Sequence, residues 1–329
     1  MADKSLLIGD IGGTNARFAI VDTKPDPELA GFTDAKTLQC ADYASADDAI
    51  RHYLDDMSLA APDVICLAVA GPVVNDTVQV TNNHWTLSVA DIMADFGIKA
   101  VRLLNDFEAV ACSIPQMQTG DVTTIGLPDR RPDLDADFNI AILGPGTGLG
   151  TAGLVRRGQA VIPVVGEGGH VGFAPQSQVQ VEILNALRNK FDRVSVERLI
   201  SGSGLENIYW ALTRIHGEQR TQLSAKDIFA SSGDGSDPRA TETTQMFFEI
   251  LGQVAGDLAL MLGAEDGVYI AGGITKRYPR VLQQSGFRQA FENKGRHRAL
   301  MEQTPTLLIT HDEPGLLGAA YCALELSSD

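Results

Sequence analysis

Two glycine-rich segments carry the residue types needed to hold a phosphorylated ligand. Gly9-Asp10-Ile11-Gly12-Gly13-Thr14 follows the apolar run Leu6–Ile8, and Gly144-Pro145-Gly146-Thr147-Gly148-Leu149-Gly150 follows Ile140–Leu143. Glycine lets a backbone turn sharply and present N–H groups to an anion without a Cβ in the way. Each segment adds a threonine hydroxyl. Asp10, at a strand end, suits Mg²⁺, held directly or through water, because that ion favours carboxylate and phosphate oxygens. Either segment alone reads equally well as a plain hairpin turn; the pair points to phosphate binding. No GxxxxGK[ST] occurs, which excludes a P-loop NTPase. The first segment lacks G-x-G-x-x-G and runs into Phe18-Ala19-Ile20-Val21, a strand rather than a helix, so a dinucleotide-binding fold is disfavoured.

A second set of residues could handle the phosphoryl acceptor. Asn105-Asp106 follows Val101–Leu104, and the helical pattern of Phe107–Cys112 places Asp106 near a helix N-terminus. A carboxylate there can accept an alcohol proton and orient that oxygen for in-line attack. On local sequence alone Asp106 reads as the N-cap. Gly166-Glu167-Gly168-Gly169-His170 reads as a loop that keeps Glu167 and His170 close. One Glu and one His are too few for a metal site, and their hydrogen-bonding capacity suits a neutral polyol. A solvent-exposed turn is the plainer alternative. Glu197 reads locally as a helix-surface acid.

The elements that must position these residues alternate in the first third of the chain. Strand-like runs at Leu6–Ile8, Ala16–Val21, Ile65–Val69 and Val101–Leu104 flank helical segments at Ser45–Leu54 and Ser88–Phe96. Such alternation predicts an α/β layer with a largely parallel sheet. The Pro- and Asp-rich stretch from Gly120 to Asp137 reads as a long surface loop near a domain boundary. Beyond it, Thr241–Leu262 is the clearest helix, with apolar residues at three- and four-residue spacing. Gly252 and Gly256 lower its propensity but permit close packing. Val268–Ala271 and Leu307–Thr310 read as strands, and Pro314–Leu326 as a closing helix with Pro at N1. The two glycine segments share the order strand, glycine turn, strand. They suggest a duplicated fold with a cleft between its halves.

Composition bounds the function. A chain of 329 residues, 44% hydrophobic, supports one large or two moderate domains. Its longest apolar run, Val64–Ala70, is far short of the roughly 20 residues that span a bilayer. The short run Leu6–Ile8 ends at Asp10 and does not read as a signal peptide. Cys40, Cys66, Cys112 and Cys322 lie far apart, as buried thiols of a reducing compartment would. With 26 basic and 42 acidic residues the net charge is −16, which argues against nucleic acid and anionic lipid as partners.

Together these segments resemble the bacterial glucokinase family of the actin-like (ribonuclease H-like) superfamily. The matching stretches are Gly9–Arg17, Asn105–Val110, Gly144–Gly150, Glu167–Pro175, Ser195–Gly204, Ala271–Ile274 and Asp312–Gly318, spread over nearly the whole chain. The resemblance implies a two-domain α/β sugar kinase fold, with a small domain (1–115 and 312–329), a large one (116–311) and a cleft between them. It implies transfer of the γ-phosphoryl group of ATP to the 6-hydroxyl of D-glucose, with Mg²⁺, at the first step of glycolysis. Asp106 matches the catalytic base, and Asn105, Asp106, Glu167, His170 and Glu197 match sugar-binding positions. Gly9, Asp10, Ile11, Gly12, Gly13 and Thr14 match the ATP loop, and Gly146, Thr147 and Gly148 the second phosphate loop. Gly272 and Gly273 match the adenosine-side motif. The resemblance further implies a cytoplasmic homodimer. A related kinase and repressor group carries a cysteine-rich zinc motif and, in its repressors, an N-terminal helix-turn-helix. Here no cysteine lies between Cys112 and Cys322 and nothing of that kind precedes Ser5, so that group is excluded.

Overall fold

The computed structural model describes residues 4–22 and 31–328. The chain forms two units, Met1–Asp121 with His311–Asp329, and Val122–Thr310.

The first unit is built on a five-stranded sheet. Its strands are β1 (Leu6–Ile11), β2 (Asn15–Asp22), β3 (Gly31–Gln39), β4 (Val64–Val69) and, beyond the short hairpin β5 (Thr77–Gln79) and β6 (Thr86–Ser88), β7 (Ala100–Asn105). The order is β3-β2-β1-β4-β7, with β1, β4 and β7 parallel and β2 and β3 antiparallel. β1 and β4 are almost wholly buried, as parallel strands covered on both faces must be. Three helices follow the strand–helix alternation: α1 (Ala46–Asp56), α2 (Val89–Phe96) and α3 (Asp106–Ser113). Ser45 and Ser88 cap the first two, each accepting the amide three residues on.

The second unit repeats the plan in a six-stranded sheet. β8 (Val122–Thr124), β9 (Phe138–Pro145), β10 (Leu149–Arg157), β11 (Ala160–Gly166), β12 (Gly267–Ile270) and β13 (Thr306–Ile309) lie in the order β11-β10-β9-β12-β13-β8. Again the glycine hairpin is antiparallel and two parallel strands follow on its other side. β8 falls inside the Gly120–Asp137 stretch that composition alone assigns to a loop. It is held there by pairing with β13, a partner nearly two hundred residues away, which no local signal reveals. The helices of this unit are α4 (Gln178–Arg188), α5 (Gly202–Ile215), α6 (Ala225–Gly233), α7 (Pro238–Leu262), α8 (Gly273–Arg277), α9 (Pro279–Gln284), α10 (Phe287–Glu292) and α11 (Arg298–Gln303). The chain then returns to the first unit as α12 (Pro314–Ser328), which packs on α3, β1 and β4.

α7 is long and apolar enough to cross a bilayer by length and composition. Its apolar stripe instead meets α5, α6 and α10, with Phe247 and Phe248 fully buried. Each such ring contributes about 1.5–3 kcal/mol on burial. A Cβ on Gly252 would collide with the Phe287 carbonyl, and one on Gly256 would lie 2.6 Å from the Phe291 carbonyl. These glycines are what lets α10 lie against α7. The repeated strand order and the paired glycine hairpins define the actin-like, ribonuclease H-like two-domain α/β fold.

Candidate active site

In the first unit, the parallel register aligns Ile11 with Val69 and Val69 with Asn105. Asp10, Gly71 and Asn105-Asp106 therefore share the carboxyl edge of one sheet, where open α/β sheets place their ligands. Asn105, rather than Asp106, is the N-cap of α3. Its Oδ1 accepts the amides of Phe107 (2.9 Å) and Glu108 (3.3 Å), and Glu108 closes a capping box on the Asn105 amide. The carboxamide sits one residue earlier than the cap expected from sequence, which leaves Asp106 as the first helical residue, its Oδ1 accepting the Phe107 amide as well at 3.0 Å. Asn105 Nδ2 donates to the Gly71 carbonyl at 3.0 Å, so the Asn105 side chain keeps one N–H for a ligand.

Gly9 and Ile11 are buried strand residues. A Cβ on Gly9 would lie 2.7 Å from Leu67 Cδ2, so this glycine serves packing. The turn itself spans Gly12–Thr14. The Gly12 amide closes it on the Asn15 carbonyl at 2.9 Å, and the amides of Gly13 and Thr14 meet no acceptor among the described residues. Neighbouring segments hold the turn from outside: Cys40 N–H donates to the Thr14 carbonyl (2.9 Å), and Asn83 Nδ2 to the Gly12 carbonyl (3.4 Å). A cavity of about 590 Å³ opens here, bordered by Gly13, Thr14, Gln39, Asn83 and His84. Nothing in the spacing of residues 39–41 and 82–84 announces this role, because chain folding alone brings them to the loop.

Asp10 stands opposite Arg17 across the hairpin, and Arg17 pairs with Glu313. The backbone of Gly315 at the start of α12 comes so close that a Cβ there would lie 2.8 Å from Asp10 Oδ2. This packing desolvates the carboxyl and raises its pKa, against the pull of Arg17. No hydrogen bond to the carboxylate forms among the described residues, and they contain no cluster of three or more metal-ligating side chains. A desolvated carboxylate beside outward amides fits an ion that takes one protein oxygen and fills its shell from phosphate and water.

In the second unit, the loop Gly146–Gly148 closes with Gly146 N–H on the Gly148 carbonyl at 2.8 Å. The amides of Thr147 and Gly148 meet no acceptor among the described residues. Gly272 has φ +92°, and a Cβ on it would collide with the Pro145 carbonyl; Gly273 opens α8 with space around it.

Glu167 precedes, and His170 ends, a 3-10 turn, Gly168–His170. The turn is fastened to β10 by the Gly168 amide on Thr151 Oγ1 (2.9 Å). Glu167 Oε2 and His170 Nε2 are 3.9 Å apart, and both side chains are about 60% exposed (61% and 59%). Glu197 is not a helix-surface acid. It lies half-buried in the 3-10 turn Val196–Arg198, and its Oε2 accepts the Leu149 amide at 2.9 Å. The backbone bonds of Val171 with Val196, and of Phe173 with Val194, join the two turns. The structure thus gathers Glu167, His170, Glu197 and the second glycine loop at one place in this unit.

A family model described as Glucokinase matches residues 7–326. A glucokinase of Xanthomonas oryzae pv. oryzae (strain MAFF 311018) is 42% identical over 323 residues, covering 98% of this chain and 96% of that protein. One of Caulobacter sp. (strain K31) is 44% identical over 315 residues, covering 95% and 93%. Among solved structures, the glucokinase of an Antarctic psychrotroph aligns with TM-score 0.88 and 35% identity, covering 98% of this chain and 99% of that one. With nearly its whole length matched in sequence and in fold, the chain belongs to the glucokinase family.

Proposed function

We propose that this chain transfers the γ-phosphoryl group of ATP to the 6-hydroxyl of D-glucose, giving glucose 6-phosphate and ADP. The observation that carries the reading is the pair of glycine hairpins, each with two outward amides, together with a carboxylate at the first residue of α3. In this reading the amides of Gly13, Thr14, Thr147 and Gly148 receive ATP phosphates, and Gly272 and Gly273 lie on the adenosine side. Mg²⁺, held at Asp10, supplies the positive charge that a chain of net −16 lacks. Asn105, Asp106, Glu167, His170 and Glu197 bind the sugar. Asp106 accepts the proton of the 6-hydroxyl as that oxygen attacks phosphorus, and the start of α3 favours negative charge at that position. Family membership and four free, buried cysteines support work in the cytoplasm, in glycolysis. Family membership also supports a homodimer, which light scattering measures.

ADP release from Mg-ATP, with glucose and then with fructose, mannose and N-acetylglucosamine, tests the assignment. Turnover dependent on glucose and weak on the others is expected. Sugar-independent hydrolysis, or a better rate on another hexose, overturns it. Asp106→Ala is expected to lower kcat by about 10²–10⁴-fold, the usual range for a general base, with glucose affinity largely kept.

A further inference from the structure

We propose that Glu197 is a positioning residue for the second glycine loop, so that one side chain ties the sugar side of the site to the nucleotide side. The inference rests on reading that loop as part of the ATP site. The segment 197–202 grips both ends of the loop. At one end the Glu197 carboxylate accepts the Leu149 amide at 2.9 Å; at the other the Gly202 amide donates to the Gly146 carbonyl at 2.9 Å. The Ser201 hydroxyl, donating to the Glu197 carbonyl at 2.8 Å, fixes the two grips relative to each other.

The fit leaves no slack at Gly148. A Cβ there would lie 2.5 Å from Glu197 Oε2, so a glycine at this position is what lets the carboxylate reach the Leu149 amide. The absent side chain and the acid are two halves of one contact. The bond is charge-assisted and lies in a half-buried turn, where such bonds are strong. It holds the strand end that follows Thr147 and Gly148, whose amides point away from the protein's own acceptors.

A carboxylate has acceptor sites to spare after one amide. A sugar hydroxyl donating to Glu197 shares the group that sets the loop, and the two ligands then bind cooperatively through it.

Calorimetric titration with ADP and Mg²⁺, in the absence of sugar, reads the role. Glu197→Ala is expected to weaken nucleotide binding about tenfold, the loss typical of one hydrogen bond to a charged group. Glu197→Gln, whose amide oxygen still accepts from Leu149, is expected to stay within about twofold. Gly148→Ala is expected to weaken binding in the native background and to cost nothing further beside Glu197→Ala, since the clash is then gone. A purely sugar-binding Glu197 leaves the Glu197→Ala titration unchanged and overturns the proposal, as do additive losses in the double variant. Failure of the unmodified protein to bind ADP removes the ATP-loop reading itself, and this role with it.

Discussion

The two glycine hairpins share an antiparallel ladder and differ in charge. Counted from the last pair before each turn, Ile11 with Ala16 and Pro145 with Leu149, the pair Asp10 and Arg17 occupies the place of Gly144 and Gly150. The first hairpin therefore carries its own acid and base. The second has neither, because the Ala271 backbone fills the space: a Cβ on Gly144 would lie 2.6 Å from the Ala271 carbonyl carbon. Its acid comes instead from Glu197, far along the chain, and faces the loop's own amide. One hairpin thus carries a buried acid facing an arginine, and the other is held in shape by an acid from elsewhere in the chain. Duplication supplies the frame, and what packs behind each turn decides its chemistry.

The largest effect that separates them is expected at Asp10. Asp10→Asn should lower kcat/KM for Mg-ATP by about 10²–10³-fold, comparable with losing one charge-stabilising group at a reaction centre. Its effect on the resting protein should have the opposite sign. Burial raises the Asp10 pKa, so the ionised carboxylate costs stability in the fold, and what its protonated form contributes is lost as pH rises through that raised value. At neutral pH, melting of the ligand-free variant should accordingly match or exceed that of the native protein. In the proposed role the same proton would compete with Mg²⁺, so the apparent affinity for the ion should weaken on acidification before an ordinary carboxylate of pKa 3.8 would begin to titrate. A variant that melts early but turns over normally would make Asp10 a structural residue and erase the contrast.

A smaller, purely structural effect is expected behind the second hairpin. Gly272→Ala meets both a left-handed φ and the Pro145 carbonyl, and should destabilise by about 1–3 kcal/mol in urea unfolding. The smallest belongs to Gly146→Ala, where nothing lies within 4 Å of the added carbon. Unfolding should change by no more than about 0.5 kcal/mol. A raised KM for ATP in that stable variant would then report the close approach of a phosphate. An unfolding cost like that of Gly272→Ala would show that the loop is held more tightly than its open surroundings imply.

Both hairpins, most strands and the helices that read as amphipathic were legible because their signals are local. Apolar runs end in glycine turns, serines precede helices, and α7 shows its period from Phe247 to Leu262. The candidate residues were legible one by one, but not their surroundings. Asn105 and Asp106 compete for the same cap on paper; only the backbone path into α3 shows the Asn105 carboxamide closing the capping box and Asp106 standing as the first helical residue. Glu197 looks like any surface acid until residues 197 and 149 are brought together. β8 is hidden in a polar, proline-bearing stretch: its β-branched run is only three to four residues long, and its partner β13 lies far along the chain.

By itself the sequence determined the order of the elements, the duplicated glycine turns, and the absence of P-loop and dinucleotide motifs, since each of these follows from neighbours within a few residues. Only the tertiary structure decided which side chain caps α3, which glycine serves packing and which a turn, and which acid holds the second loop. Those outcomes depend on contacts between segments far apart in the chain, where burial and a few tenths of an ångström set the chemistry.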